Sequence, residues 1–165
     1  MTRKLKIDSR FTPCSTEDGD ELYPNGIFVF NITKMIEYIA SHRTPCEEIQ
    51  IKDFSLGVSK VKEEHLAVVD VTRPVIVAEI SPGRYNVIDG NHRVEKARRL
   101  GLATVMAYKL GPEQHLQFLT TSKGYSAYVE YWNGKLRELT RLGKVIAQAS
   151  GLKTQKELTT RLTHE

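Results

Sequence analysis

Apolar residues in the first two thirds of the chain follow two spacings, one typical of strands and one typical of helices. Short runs rich in Val, Ile, Phe and Tyr predict strands, because these side chains fit a pleated sheet. The strand candidates are residues 27–30, 49–51, 75–80, 85–88 and 104–108, and the apolar run 75–80 is expected to form a central strand. Apolar residues at intervals of three and four predict amphipathic helices. The helix candidates are residues 32–41, 59–69 and 91–100. The order of these elements predicts a compact α+β core.

Local signals mark where several of these elements begin and end. Asn31 is a good N-cap for the first helix, and Ser59 could cap the second. The sequence Ser-Pro-Gly at 81–83 predicts a hairpin turn, because proline pre-sets one turn angle and glycine supplies the other. Gly101 marks the end of the third helix. The first helix has a predicted apolar stripe of Ile32, Met35, Ile36 and Ile39.

The two ends of the chain differ from this core. Residues 1–25 have no apolar period and predict an extended arm. After Pro112, a plausible first helical position, the chain is mostly helical. An aromatic-rich segment, 125–132, is expected to end at Asn133 and Gly134. Its tyrosines and tryptophan either pack on the core or stack on nucleic-acid bases.

Two further helices, 135–149 and 154–162, are predicted beyond that point, joined by residues 150–153. They form a helical C-terminal extension that faintly resembles half of a helix-turn-helix. We therefore divide the chain into an arm (1–25), a central domain (26–134) and a basic helical tail (135–165).

Composition supports a folded domain with an uneven charge. The chain has 165 residues, 40% of them hydrophobic, which suffices for a core. The formal net charge is +4, yet residues 91–111 carry five Lys or Arg against one Asp or Glu, and residues 135–165 carry seven against three. These basic segments either face a polyanion or form solvated helix surfaces.

The chain has no apolar run long enough to span a bilayer, and the basic residues at its start lack the apolar stretch of a signal peptide. We therefore expect a cytoplasmic protein without membrane insertion. Cys14 and Cys46 lack the spacing of a metal cluster, so both are expected to be free thiols.

Candidate chemistry concentrates where a predicted strand turns into the third helix. The turn carries Asp89, Gly90, Asn91, His92 and Arg93. Unpaired backbone N–H groups and the partial positive charge of a helix N-terminus favour an anion there. Cations in the first turn oppose the helix dipole, which suggests that they serve a ligand.

Residues 73–108 carry a recognisable pattern. Arg-Pro-Val-Ile-Val is followed by a turn, then by Tyr-Asn-Val-Ile-Asp-Gly-Asn-His-Arg-Val-Glu-Lys-Ala-Arg-Arg-Leu-Gly and a closing strand. This pattern resembles the ParB/sulfiredoxin superfamily. The resemblance implies a small mixed sheet flanked by helices, with a nucleotide bound through the turn.

The turn differs from both well-known branches of that superfamily. Partition-type ParB proteins carry Gly-Glu-Arg-Arg, of which Gly90 and Arg93 are matched here, while Asn91 and His92 replace the middle pair. Sulfiredoxins carry a catalytic cysteine where this chain has Asn91, and an amide is not a usable nucleophile. The chain is therefore not expected to be a sulfiredoxin proper.

The resemblance implies nucleotide contacts at Gly90, Asn91, His92, Arg93 and Arg73. It also implies ATP or CTP as ligand, with a divalent cation such as magnesium. The leading expectation is therefore a domain that binds a nucleotide, or a nucleic-acid phosphate in the same site, in plasmid or DNA-transfer biology. ATP hydrolysis and DNA cleavage are attributed to other branches, so a metal-assisted NTP hydrolase or nuclease activity could accompany binding.

Each of these residues also has a structural interpretation. Arg93 either binds phosphate oxygens with its forked donors or pairs with Asp89 or Glu95. His92 either contacts phosphate and transfers a proton or is a hydrogen-bonded structural histidine. Asn91 could cap the helix, contact a ligand, or do both.

Asp89 and Arg73 leave similar alternatives open. Asp89 could hold a metal ion and assist catalysis with His92 and Arg93, or it could order the turn. Arg73 could contact a base or phosphate, or be a solvated loop residue. His65 and His115 are expected at the edge of the core.

The rival function is a non-catalytic module. It would bind DNA or dock on a protein partner through residues 135–165, with the phosphate site as a structural relic or a regulatory sensor.

Overall fold

A mixed five-stranded sheet and a separate two-stranded hairpin organise the protein, as seen in a computed structural model that describes residues 3–55 and 61–149. The strands in these ranges are β1 (Leu22–Asn25), β2 (Phe28–Asn31), β3 (Glu47–Gln50), β4 (Phe54–Ser55), β5 (Val75–Ser81), β6 (Arg84–Asp89) and β7 (Thr104–Leu110). The helices are α1 (Ile32–Ser41), α2 (Glu63–Val68), α3 (Asn91–Arg99), α4 (Pro112–His115) and α5 (Ser122–Ala149). Short 3-10 turns cover Ile51–Asp53 and Leu116–Phe118.

The sheet has the strand order β3-β7-β5-β6-β4. Strand β5 pairs antiparallel with β6 and parallel with β7, while β3 is antiparallel to β7 and β4 is parallel to β6. The predicted α+β class, with a small mixed sheet flanked by helices and a C-terminal helix, is confirmed. The expectation that 75–80 forms a central strand is also confirmed.

Strand β5 contributes side chains to two hydrophobic cores, because successive side chains in a strand point to opposite faces. Val75 and Val77 join α3 in one cluster, completed by Val87, Val94, Ala97, Val105 and Ala107. Ile76, Ala78 and Ile80 face the other side, where they pack with α1, the β1–β2 hairpin and α5. The sheet is thus covered on both faces, and the start of α3 lies at the edge of one core.

The predicted cap of α1 is confirmed. The Asn31 side chain accepts a hydrogen bond from the Lys34 N–H at 3.1 Å, and its amide donates to Ser15 O and to Asp20 Oδ2. The predicted apolar stripe is wrong for Ile36, which is 48% exposed, whereas the other three members are buried. Ile36 faces a cleft described below.

The N-terminal segment, predicted as an extended arm, is packed against the rest of the protein. It contains β1, and its first residues pack along α5: Asn133 exchanges two hydrogen bonds with the Leu5 backbone, and Trp132 Nε1 donates to Arg3 O. The residues that make these contacts lie far apart in the sequence, so composition alone does not reveal them.

A single helix, α5, runs through the predicted break at Asn133 and Gly134, so that prediction is wrong. Asn133 keeps its helical backbone while its side chain holds the N-terminal segment. The predicted helix 154–162, its connection 150–153 and the cap at Ser59 lie outside the described residues. The three-part division of the chain stays a prediction.

Cys14 and Cys46 are free thiols, as predicted. Within the described ranges, no helix combines the length and the apolar character needed to cross a bilayer.

Candidate functional site

The turn between β6 and α3 depends on Gly90. Its φ is +95°, in the left-handed region that favours glycine. A Cβ atom built on Gly90 would lie 2.6 Å from Val75 Cγ1 and 2.7 Å from Arg93 Nη2, so the Arg93 guanidinium lies directly over the glycine. Gly90 itself occupies the N-cap, and Asn91 is the first helical residue; the interpretation of Asn91 as the cap is therefore wrong.

The three residues after Gly90 point in three directions, since neighbours on a helix are about 100° apart. Asn91 Nδ2 lies 3.5 Å from Tyr23 Oη on the β1–β2 hairpin. His92 Nε2 accepts the Lys62 backbone N–H at 3.3 Å. Arg93 turns toward the end of β6, where Nη2 donates to Asp89 Oδ2 at 2.6 Å.

The Arg93–Asp89 ion pair is largely shielded from water. The two side chains are 13% and 23% exposed, and Arg93 Nε is buried with no hydrogen-bond partner in the described part of the chain. Of the two structural partners considered for Arg93, Asp89 is the one that binds it. The guanidinium is held in place through one nitrogen, while the Nε donor is left unused.

Arg93 and Asp89 line a cleft of about 400 Å³ between α1, the start of β5 and the start of α3. Arg73 and Arg43 line the same cleft. The rest of its lining is mainly apolar and consists of Ile36, Ile39, Ala40, Thr44, Pro74, Ile76 and Tyr108. The structure thus brings together three predicted site residues, Arg73, Asp89 and Arg93, whereas Asn91 and His92 are not among the residues that line this cleft.

Arg43 was missed by sequence reasoning. It follows α1 in the left-handed conformation, with φ +49°, and the next N–H, that of Thr44, donates to Ile39 O at 3.1 Å. This is the position after a helix that most often holds glycine. The one available signal was an arginine directly before the Thr44-Pro45 stop.

The basic cluster on α3 is paired within the protein. Glu95 is 7% exposed and accepts hydrogen bonds from Arg98 and Arg99, which lower the pKa of its carboxyl to about 2. Arg99 also binds Glu63, and Lys96 donates to two backbone carbonyls near the end of α2. Because these cations already have partners, the interpretation of this helix as a face toward a polyanion is not supported.

The aromatic segment packs on the core, with Tyr125, Tyr128 and Trp132 buried. That burial excludes base stacking by these three rings. The two histidines expected at the core edge differ from that prediction: His115 is fully buried, and His65 is exposed with its ring 5.2 Å from that of His92.

The donor set for a metal ion is small. No group of three or more His, Cys, Asp or Glu side chains within residues 3–55 and 61–149 is arranged to hold a metal. Asp89, the predicted ligand, is bound to Arg93. These residues do not fit a metal ion held by the protein alone, because magnesium needs several oxygen ligands.

No family model matches the chain, and no curated protein matches it. Among solved structures, the chain is similar to the C-terminally truncated chromosome-partitioning protein ParB from Caulobacter crescentus, complexed with CTP-gamma-S. The identity is 24% and the TM-score 0.34, and the match covers 41% of this chain and 44% of that one. A likeness of this size does not by itself define the fold or the ligand of this chain.

Proposed function

We propose that the protein binds a nucleotide in the cleft between α1 and the start of α3, with Arg93 and Arg73 contacting its phosphates. The observation that carries this proposal is the convergence of three guanidinium groups on one concave site that holds a single carboxylate. Arginine is suited to phosphate because its planar fork can donate two parallel hydrogen bonds.

The cleft also has the composition that a nucleotide requires. Its floor is apolar, with Ile76 and Tyr108 from the sheet and Ile39 from α1, and can accept the flat face of a base. Small-molecule sites typically combine such a lining with a few polar groups that fix orientation. A free inorganic anion would leave this apolar surface unused.

Asp89 holds the Arg93 guanidinium in position before a ligand arrives. A long arginine side chain normally loses rotamer freedom when it binds, and this loss weakens affinity. The bond between Arg93 Nη2 and Asp89 Oδ2 removes part of that freedom in advance. The backbone N–H groups at the start of α3 add a favourable field for phosphate.

Catalysis stays a prediction. His92 and Asn91 point away from this cleft toward Lys62 and Tyr23, so their proposed contact with a ligand needs an anion seated on the helix start itself. Hydrolysis of ATP or CTP, cleavage of DNA and participation of magnesium stay predictions, and phosphate release tests the first of them.

Loss of Arg93 or of Arg73 is expected to weaken nucleotide binding about tenfold to a hundredfold, the usual range for a lost hydrogen bond to a charged group. The measurement is calorimetric titration of ATP and of CTP into the full chain, wild type, Arg93→Gln and Arg73→Gln, with phosphate release followed in parallel. Arg73→Gln is the cleaner variant, because its side chain makes no hydrogen bond or ion pair with any described residue.

Arg84→Gln, at the start of β6 and outside the cleft lining, is the matched charge control and should bind like the wild type. The proposal fails if the wild type binds neither nucleotide, or if both cleft variants retain full affinity with unchanged melting temperature.

A second candidate function is binding to the DNA backbone through α5. The observation that favours it is that Lys4 of the N-terminal segment shares a shallow cavity with Arg137, next to exposed Arg141 and Lys144 on the same helix. Packing of the N-terminal segment therefore adds a cation to the basic face of α5.

If α5 contacts DNA phosphates, a triple variant should show it, in which glutamine replaces Arg137, Arg141 and Lys144. The slope of log K against log salt should become smaller by about 3, since each neutralised phosphate contributes about 0.9. The measurement is fluorescence anisotropy of a labelled duplex at several salt concentrations, with Arg93→Gln as control. A slope that does not change in the triple variant contradicts this candidate.

A further inference from the structure

We infer that Arg43 is a third phosphate-binding residue of the cleft, which contacts the ligand's phosphate from the end of α1. This inference rests on the proposed function of the cleft. It adds a residue that the sequence did not indicate.

The backbone of Arg43 is unfavourable for an arginine. Its φ of +49° makes it the one non-glycine residue with positive φ in the described ranges. Left-handed backbone brings Cβ close to the following carbonyl oxygen, which is why glycine or asparagine is usual at this position. Five described glycines adopt positive φ, so this protein uses glycine for such positions elsewhere.

The Arg43 side chain does not compensate through contacts in the fold. It is exposed, and no hydrogen bond or ion pair joins it to another described residue. The side chain of Arg73, in the same cleft lining, likewise has no hydrogen bond or ion pair with any described residue, whereas Arg93 binds Asp89. An unfavourable backbone and an unused guanidinium on the rim of a cleft are typical of a residue held for a ligand.

Charge balance indicates what that ligand carries. The cleft lining has three arginines and one aspartate, a balance of two positive charges. Asp89 offsets Arg93, so this surplus comes from Arg43 and Arg73, and it matches the charge of about −1.5 to −2 that one phosphate group carries at pH 7. Without Arg43 the surplus would be one positive charge, about half of what a phosphate group requires.

The test uses substitutions that remove the positive charge of Arg43 and relieve the strain in its backbone. Arg43→Gly and Arg43→Asn both suit left-handed backbone, so each should melt at the wild-type temperature or about 2–4 °C above it. We expect both to bind nucleoside triphosphate about tenfold more weakly than the wild type, and to bind the matching nucleoside, which carries no phosphate, equally well. Arg43→Lys keeps the charge and should retain most of the affinity.

Four outcomes decide the question. Weaker triphosphate binding with unchanged binding of the nucleoside, in variants at least as stable as the wild type, supports the inference. Wild-type triphosphate affinity in Arg43→Gly, while Arg73→Gln weakens it, overturns the inference and leaves the proposed function standing. Lower melting temperatures in both neutral variants also overturn it, because Arg43 would then be structural. A wild type that binds no nucleotide overturns both.

Discussion

Gly90→Ala is expected to lower the free energy of unfolding by about 2–5 kcal/mol, the sum of two separate costs. A left-handed backbone costs an L-residue about 1–2 kcal/mol, and overpacking of a tight site costs about 1–3 kcal/mol. Both apply here, because φ is +95° and the added Cβ would lie 2.6 Å from Val75 Cγ1. Chemical denaturation in urea measures the effect.

Gly83→Ala is the matched control. Gly83 has a φ of +74°, and nothing lies within 4 Å of a Cβ built there, so only the backbone cost of about 1–2 kcal/mol remains. Replacing glycine by alanine also lowers the conformational entropy of the unfolded chain. This contribution is the same in both variants, so it cancels when they are compared. Equal destabilisation by the two substitutions would contradict the close packing at Gly90.

The same comparison separates folding from ligand binding. The added methyl would also lie 2.7 Å from Arg93 Nη2 and 2.8 Å from Nε, so the guanidinium must move from its place beside Asp89. We therefore expect Gly90→Ala, but not Gly83→Ala, to weaken nucleotide binding under conditions where both variants are folded. Gly90 therefore positions Arg93 in addition to permitting the turn.

Short-range signals predicted most of the central fold. The cap at Asn31, the hairpin at 81–83 and the passage from strand to helix at Gly90 each depend on residues within four positions of one another. The apolar run at 75–80 was correctly assigned to the centre of the sheet because an uninterrupted apolar strand indicates burial on both faces. These features follow from local backbone preferences and from side-chain alternation.

Features fixed by distant contacts could not be predicted in this way. Asn133 and Gly134 indicate a turn when taken alone, yet they stay helical because the N-terminal segment bonds to Asn133 from 128 residues away. Ile36 fits the apolar stripe of α1 but faces a cleft instead of the core. A helical period shows which residues share a face and says little about what that face meets.

The candidate site was predicted only in part, because it too is assembled by contacts between residues that are distant in the sequence. The sequence identified Arg93, Arg73 and Asp89 but could not show that they share a cleft, since that depends on how α1 and β5 pack. Nor could it show that Asn91 and His92 turn away from Arg93, toward the β1–β2 hairpin and Lys62. Arg43 is separated from Arg93 by 50 positions, and its distinguishing feature is a backbone angle.

His115 is expected to make the protein about 3 kcal/mol less stable at pH 4 than at pH 7. Burial lowers the pKa of its imidazole from 6.5 to about 4, a difference of about 2.5 units at 1.36 kcal/mol each. Below pH 6.5 the unfolded chain takes up a proton that the folded chain refuses until about pH 4. Stability is therefore fully present above pH 6.5 and falls as the pH drops toward 4.

The surroundings of His115 explain why the folded state refuses the proton. Nε2 lies 2.9 Å from Glu79 O, and the Tyr128 hydroxyl donates to the same carbonyl at 2.6 Å. If Nε2 donates to this carbonyl, Nδ1 carries the free lone pair, and Nδ1 is buried with no acceptor nearby in the described residues. A proton on Nδ1 would create a buried N–H without a partner and a buried charge without a counter-ion.

Replacement by a neutral side chain should remove this pH dependence. Urea unfolding of His115→Gln, measured from pH 7 to pH 4, is expected to show a profile flatter than that of the wild type by about 3 kcal/mol, even if the variant is less stable at pH 7. His65→Gln, at an exposed position, should follow the wild-type profile. If His115→Gln and the wild type lose stability in parallel, the acid sensitivity comes from other groups. A flatter profile in His115→Gln would instead assign the acid sensitivity to His115. Because the ring of His115 joins α4 to β5 and α5, acid would then loosen the junction of the sheet with its C-terminal helix.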